Sequence, residues 1–274
     1  MIRVNKILPF QPFHRLFRYI KKECSAKDLI MSKKSLFLTI FSIMLILQAC
    51  VKDELTMPAK VFLDFELIPY QEGNSLKSGP PFETPVAGMI IDQGNITIES
   101  IIFDGKRDEG KDVYFVSNFA SPVLVNLENG HVDSDLSFDI PQGVYNRIEL
   151  SLTLGGNNEI PLLLKGRMKK GPLDNKMPLR FEYIFNEQIK IVAEPAGKAN
   201  KIVLRRDNPA NAKIVVDAGV LFQFIGFPEL NDVNTSEFND EEMVIISAES
   251  NIDLFRSMVM QSRGLEKAFR VIFD

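Results

Sequence analysis

The chain has no tryptophan, two histidines and two cysteines in 274 residues. Each scarcity removes a chemistry. From residue 50 onward the only histidine is His131 and the only cysteine is Cys50. A His-rich zinc site and a Cys₄ site need more ligands than that, and a Cys–His pair would have to use the thiol of Cys50. A Ser-His-Asp triad would have to use His131, which sits in the turn-like stretch Asn129-Gly130-His131-Val132-Asp133, and no Gly-x-Ser-x-Gly elbow accompanies it. Phosphate loops are missing too, because neither Gly155-Gly156 nor Gly105 to Gly110 leads into Lys-Ser/Thr or a helix start. Five tyrosines against 21 phenylalanines leave few of the amphipathic rings that sugar platforms and interface hot spots favour. Phe62, Phe65, Phe103, Phe138, Phe181, Phe185, Phe222 and Phe224 recur in alternation and read as core.

Charge is unevenly spread. The chain holds 32 Lys/Arg and 36 Asp/Glu; nine and two of these precede Cys50, so residues 50–274 hold 23 and 34, a formal charge of −11. An acidic body with no basic stripe argues against nucleic acid as a partner and against electrostatic docking on anionic lipid.

The basic residues gather ahead of a short apolar run. Lys33 and Lys34 precede Leu36–Leu47, twelve uncharged residues, and Leu47-Gln48-Ala49-Cys50 follows. This is the order of a secretory signal: positive region, apolar region, small residues at the cut. Twelve helical residues reach about 18 Å, short of the roughly 30 Å hydrocarbon core, so a spanning anchor fits less well. Residues 31–49 make a complete signal by themselves. Residues 1–30 are therefore read as an extension ahead of a true start at Met31 and are excluded from the fold, although Phe10, Phe13, Phe17 and Ile20 could line one face of a basic helix.

Leu47, Gln48, Ala49 and Cys50 resemble the lipobox of bacterial lipoproteins. The resemblance implies that the Cys50 sulfur receives diacylglycerol, that a dedicated peptidase cuts before it, and that the new amine is acylated. Lipid on that sulfur removes the thiol that a Cys–His pair would use. Gln48 departs from the commoner Ala or Ser. An ordinary signal with an incidental cysteine is the alternative. Lys52, Asp53 and Glu54 resemble the tract behind the lipidated cysteine in surface-exposed lipoproteins of the Bacteroidota type, which implies an outer-membrane protein displayed at the cell surface. A plain charged tether reads the same residues more simply.

Beyond the tether, residues 50–59, the pattern is one of strands. Lys60–Ile68 alternates, with Val61, Leu63, Phe65 and Leu67 on one side. Ile96–Phe103 reads as a strand stopped by the turn pair Asp104-Gly105. Asp112–Val116, Val123–Leu127, Leu136–Ile140, Ile148–Leu152, Ile160–Lys165, Leu179–Phe185, Gln188–Ala193, Lys201–Arg205, Lys213–Phe224 and Met243–Ser247 follow, separated by turn residues. A Pro141-x-Gly143-x-Tyr145 corner interrupts them. Ser250 is placed to cap one short helix with Asp253 three positions on, Gly264 to end it, and Ala268–Phe273 to close the chain as a strand. The expectation is an all-β, antiparallel sandwich of immunoglobulin or transthyretin type with one short helix near the C-terminus. It covers residues 60–274, as one domain or as subdomains 60–195 and 196–274. Residues 222–230, the Gly143–Leu152 strand and the closing serine–asparagine, helix and Phe269–Phe273 segment are similar to uncharacterised sandwich lipoproteins of the same bacterial group. That resemblance implies fold and location and supplies no catalytic residues.

Carboxylates are the one chemistry such a chain retains. Glu237, Asp240, Glu241 and Glu242 form one group and Asp104, Asp108, Glu109 and Asp112 another. Clustered acids hold calcium, and a facing pair hydrolyses glycosides, though neither group has EF-hand spacing. No cofactor is expected apart from the lipid on Cys50, with calcium at Glu237, Asp240, Glu241 and Glu242 as the weak candidate. The expected role is non-enzymatic binding or assembly at the envelope, with a protein or glycan ligand and the membrane as partners. The alternatives are a fimbrial subunit that assembles by exchanging the Lys60–Ile68 strand, and a carboxylate-based glycan enzyme.

Overall fold

Each odd-numbered residue from Ala59 to Leu67 turns inward and is at most 8% exposed, while the residues between them face solvent or lie at the surface. That period of two is the rule for the fold described here from a computed structural model, which covers residues 57–71, 89–132, 136–156, 159–169, 176–223, 225, 229–230, 232–261 and 265–274. The strands are β1 (Pro58–Ile68), β2 (Tyr70–Gln71), β3 (Ile90–Arg107), β4 (Val113–Asn126), β5 (Ser137–Pro141), β6 (Gly143–Leu154) and β7 (Leu162–Lys169). Then come β8 (Lys176–Tyr183), β9 (Gln188–Pro195), β10 (Ile202–Leu204), β11 (Ala210–Asp217), β12 (Thr235–Phe238), β13 (Glu241–Ile246) and β14 (Phe269–Phe273). Two helices, α1 (Ala218–Phe222) and α2 (Ile252–Gln261), and a 3₁₀ turn at Leu265–Ala268 complete the described elements. Asp53–Asp274 forms one compact unit. No helix among the described residues is long and apolar enough to cross a membrane.

The strands hydrogen-bond in the order β12-β13-β8-β7-β3-β6-β9-β14-β11-β1-β5, with β4 and β2 also on β3, and β10 on β6. The chain is thus all-β and sandwich-like, with a short helix near the C-terminus, as its alternation predicts. Three pairings are parallel: β1 with β11, β9 with β14, and β8 with β13. Parallel neighbours need long connections, and here the intervening strands and short helices of the unit together serve as the crossover. The path curls so that β5, at one end of it, packs against β4 beside the central β3. Phe115 on β4 stacks on Phe103 at 5.4 Å and stands 5.4 Å from Phe138 on β5.

β3 holds the two ends of the molecule together. Residues 98–107 pair with β6 and residues 90–96 with β7, while β4 follows the other side. Its register slips at Glu99, where inward positions change from Gly94, Ile96 and Ile98 to Ile101, Phe103 and Gly105. A bulge adds one residue, bends the strand and keeps its apolar side on the core.

Asp104-Gly105 is not a turn, contrary to its sequence signature; β3 runs through it to Arg107. A side chain at 105 would meet Phe103 Cε1 and Tyr145 Cε1 at 2.6 Å each. The glycine is there for close packing, not for bending. Lys213–Phe224 is likewise not one strand. β11 stops at Asp217, whose carboxylate accepts a hydrogen bond from Gly219 N at 2.9 Å and opens α1. Short apolar runs such as Val-Leu-Phe do not separate buried helix from buried strand by period. α2 begins after Asn251, which has φ 51°, and Ser250 is not its cap. Asn251 instead binds Asn234 in both directions and donates to the Ile245 carbonyl. Gly264 lies outside the described residues.

The Pro141-Gln142-Gly143 corner is closed by a buried ring. Tyr145 OH donates to the Pro141 carbonyl at 2.6 Å, the arrangement of a tyrosine corner. Burial pushes its phenol up to about 12. Two phenylalanines read as core are not: Phe62 is 38% and Phe185 47% exposed. Phe62 falls on the even, outward row of β1, where Lys60 lies over its ring.

Candidate ligand groove

The far end of β3 from its Arg107 tip forms one wall of a groove of about 380 Å³. Its floor is the outward face of β7 and β8, where Lys165 pairs with Arg180 and Arg167 with Pro178. The β12–β13 hairpin forms the other wall with Phe238, Glu241 and Met243. Gly166 sits between the two β7 cations because a side chain there would collide with the Ile90 carbonyl oxygen. That close approach accompanies a second bulge, between Ile91 and Gln93. The bulge brings two consecutive polar residues, Asp92 and Gln93, to the same wall.

Arg180 is the organised member of the site. Its guanidinium lies over the Phe238 ring, 4.7 Å from the centroid. Its buried Nε meets the Glu182 carboxylate as an ion pair without hydrogen-bond alignment. Lys165 and Arg167 are exposed and have no ion-pair partner among the described residues. Like charges on neighbouring strands repel, and Lys165, Arg167 and Arg180 outnumber the groove's acids, Asp92 and Glu241, so added negative charge beside the cations is favourable. It suits an anionic ligand laid along the sheet.

The acidic group on the hairpin does not gather. Asn239 and Asp240 both have positive φ, 54° and 62°, and close a two-residue turn. Glu237 stands opposite Glu242 and Phe238 opposite Glu241, so alternation sends Glu241 into the groove and Glu237 and Glu242 to the other face. Glu242 accepts from Thr235 Oγ1 at 2.7 Å. Among the described residues no three His, Cys, Asp or Glu side chains group so as to hold a metal.

The second acidic group is threaded with cations. Lys106 Nζ lies 3.5 Å from Asp104 and 3.2 Å from Asp112, and Lys201 pairs with Asp108. The Lys106 and Lys201 hydrogen bonds hold the Asp112 and Asp108 carboxyls below the usual range. The acids of the groove, Asp92 and Glu241, stand on strands three spacings apart, with their backbones about 14 Å from each other and Lys165 and Arg180 between them.

His131 lies in the turn after β4, its backbone N–H on Asn129 Oδ1 at 2.8 Å, beside a shallower hollow of about 310 Å³ with Asp64 and Asn211. Leu47, Gln48, Ala49, Cys50, Lys52, Asp53 and Glu54 lie outside the described residues. No protein family, curated protein or solved structure matches the chain. Sequence reading missed the groove because its residues come from β3, β7, β8, β12 and β13, at no fixed spacing. Lys165-Gly166-Arg167 was the available signal, a strand glycine between two outward cations.

Proposed function

We propose that the protein is a lipid-anchored component of the cell envelope, held at the outer membrane by Cys50, that binds an anionic envelope partner in the β7–β8 groove without catalysing a reaction. The lipobox Leu47–Cys50 carries the anchor, and the groove's unpaired cations carry the ligand class. Two features support the combination. β1 starts at Pro58, so the seven residues 51–57 span at most about 25 Å when extended. The groove sits at the Asp92 end of β3, whereas the Arg107 end of that strand lies with the Pro58 end of β1. The start of β1 and the groove therefore lie at opposite ends of β3, and a domain tethered through residues 51–57 would offer its groove outward. Display on the outer face belongs to the same reading, through Lys52, Asp53 and Glu54.

Mass spectrometry of the amino-terminal peptide tests the anchor: a diacylglyceryl cysteine at residue 50 is expected, and a bare Cys50 ends this reading. Protease shaving of whole cells is expected to release groove peptides. For the ligand, a fluorophore at Asn239→Cys is expected to respond to dextran sulfate, and K165E/R167E to abolish the response. A response unchanged by K165E/R167E would remove the groove as the site.

A second reading, assembly by strand exchange, draws on the place of β1. It fills a slot between β11 and β5 with five inward side chains and follows directly after the tether. Cells making the protein would then contain heat-resistant ladders of multimers, and a chain that stays monomeric would exclude it.

A further inference from the structure

Whole-chain charge conceals a positive end. The residue where the tether leaves the fold, Met57, is clamped at that end: its carbonyl accepts from Gln142 N at 2.8 Å. Arg206 N donates to Gln142 Oε1 at 3.2 Å, and Arg206 Nη1 reaches Met57 Sδ at 3.3 Å. The turn between β10 and β11 is thus fixed against the root of the tether. Residues 196–209 carry Lys198, Lys201, Arg205 and Arg206 against one acid, Asp207, in a body of charge −11. Lys201 is offset by Asp108. Lys198, Arg205 and Arg206 are exposed and have no ion pair among the described residues.

The outward row of β10 and its flanks adds a second feature. Ile202 and Leu204 turn in, so Lys201, Val203 and Arg205 turn out, and Val203 is 49% exposed. Cation, aliphatic, cation along one short edge is the pattern that lies at a lipid interface, with charged heads at phosphate level and an apolar contact between them.

We infer that this end is a docking face for anionic phospholipid, with Lys198, Arg205 and Arg206 on headgroup phosphates and Val203 between them. The inference rests on the lipid-anchor reading, because free in solution so few cations bind an anionic surface only weakly. A seven-residue tether supplies the missing local concentration. It confines the patch to about 25 Å from the bilayer, and the patch acts within the roughly 8 Å over which the surface field persists at physiological salt. Docking then fixes the groove away from the membrane instead of leaving the domain to tumble.

The lipidated full chain makes the test clean, since a thioether at Cys50 leaves no other thiol in residues 50–274. A spin label is placed at Ala199→Cys or at Asn239→Cys, and the protein is reconstituted into phosphatidylcholine vesicles with or without phosphatidylglycerol. On mixed vesicles the 199 label is expected to lose several-fold of its collisions with an aqueous nickel complex, while the 239 label keeps them. R205E/R206E, K198E or molar salt should restore the 199 label, with an unchanged melting curve showing that the variants fold. A 199 label as open as the 239 label on mixed vesicles, or one indifferent to charge reversal and salt, overturns docking. The mass of the amino-terminal peptide separates the two failures: lipid on Cys50 with an open 199 label refutes docking alone, and a bare Cys50 refutes the anchor and docking together.

Discussion

Two rings leave no room at residue 105. Phe103 and Tyr145 are each about 1% exposed and meet edge to face at 6.1 Å, and the glycine lets β3 pass beneath them. Gly105→Ala forces one ring off its place, an overpacking that costs about 1–3 kcal/mol and is expected as a lower denaturation midpoint with an unchanged slope. Tyr145→Phe keeps the ring and removes the donor to the Pro141 carbonyl, at a cost of about 1–2 kcal/mol. The hydroxyl also sets a pH limit. Its folded-state value of about 12 lies above the ordinary value of 10, so burial favours the neutral phenol. The stability this contributes is intact below pH 10 and is lost as pH rises through 12. Burial and the neighbouring Glu187 push Tyr183 in the same direction. Tyr145→Phe should therefore flatten the alkaline fall in stability measured from pH 9 to 12; an unchanged slope would mean that Tyr145 titrates as if exposed.

At the scale of elements, the β12–β13 turn is strained where it is most acidic. Asp240 holds φ 62°, a region that glycine enters freely. Asp240→Gly, which makes the favoured Asn-Gly pair, should stabilise the hairpin by about 0.5 kcal/mol and be seen as slower amide exchange in β13. Most strands are legible in the sequence because they are half-buried: β1 and β5 alternate against solvent, and residue type reports the side directly. Legibility ends where another demand governs the residue. Asp104-Gly105 carries a turn signature, but ring packing set the glycine. Val220-Leu221-Phe222 is buried on all sides, so no period marks it as helix. Thr235–Phe238 has one exposed apolar residue and reads as loop until β13 pairs with it. The groove was least legible of all, because pairing between distant strands places Lys165 beside Arg180.

For the whole molecule, charge and topology both act locally. A formal −11 for residues 50–274 describes the field at a distance, yet three cations of residues 196–209 with no ion pair among the described residues stand at the Met57 end, and Lys165 and Arg167 at the groove. Topology joins these two ends. β3 belongs to both, through β6 at one end and β7 at the other, and β1–β11 and β9–β14 tie residues before 195 to residues after it. At the groove end Phe181 meets Phe222 and Phe255 at 5.8 Å each, within the same buried apolar cluster as Phe65. One buried apolar cluster runs from β1 to the groove end, and β3 pairs along its whole length, so Asp53–Asp274 should unfold in one transition. Phe65→Ala on β1 and Phe181→Ala on β8 each remove a buried ring from opposite ends of that cluster, at about 3–5 kcal/mol. Both are expected to lower the same melting temperature by several degrees, with tyrosine fluorescence and far-ultraviolet dichroism still coincident. If Phe181→Ala instead splits the melt in two and leaves the Phe65 region at its original temperature, then the cluster is continuous in packing but not in folding, and the groove can open or close without disturbing the end at Met57.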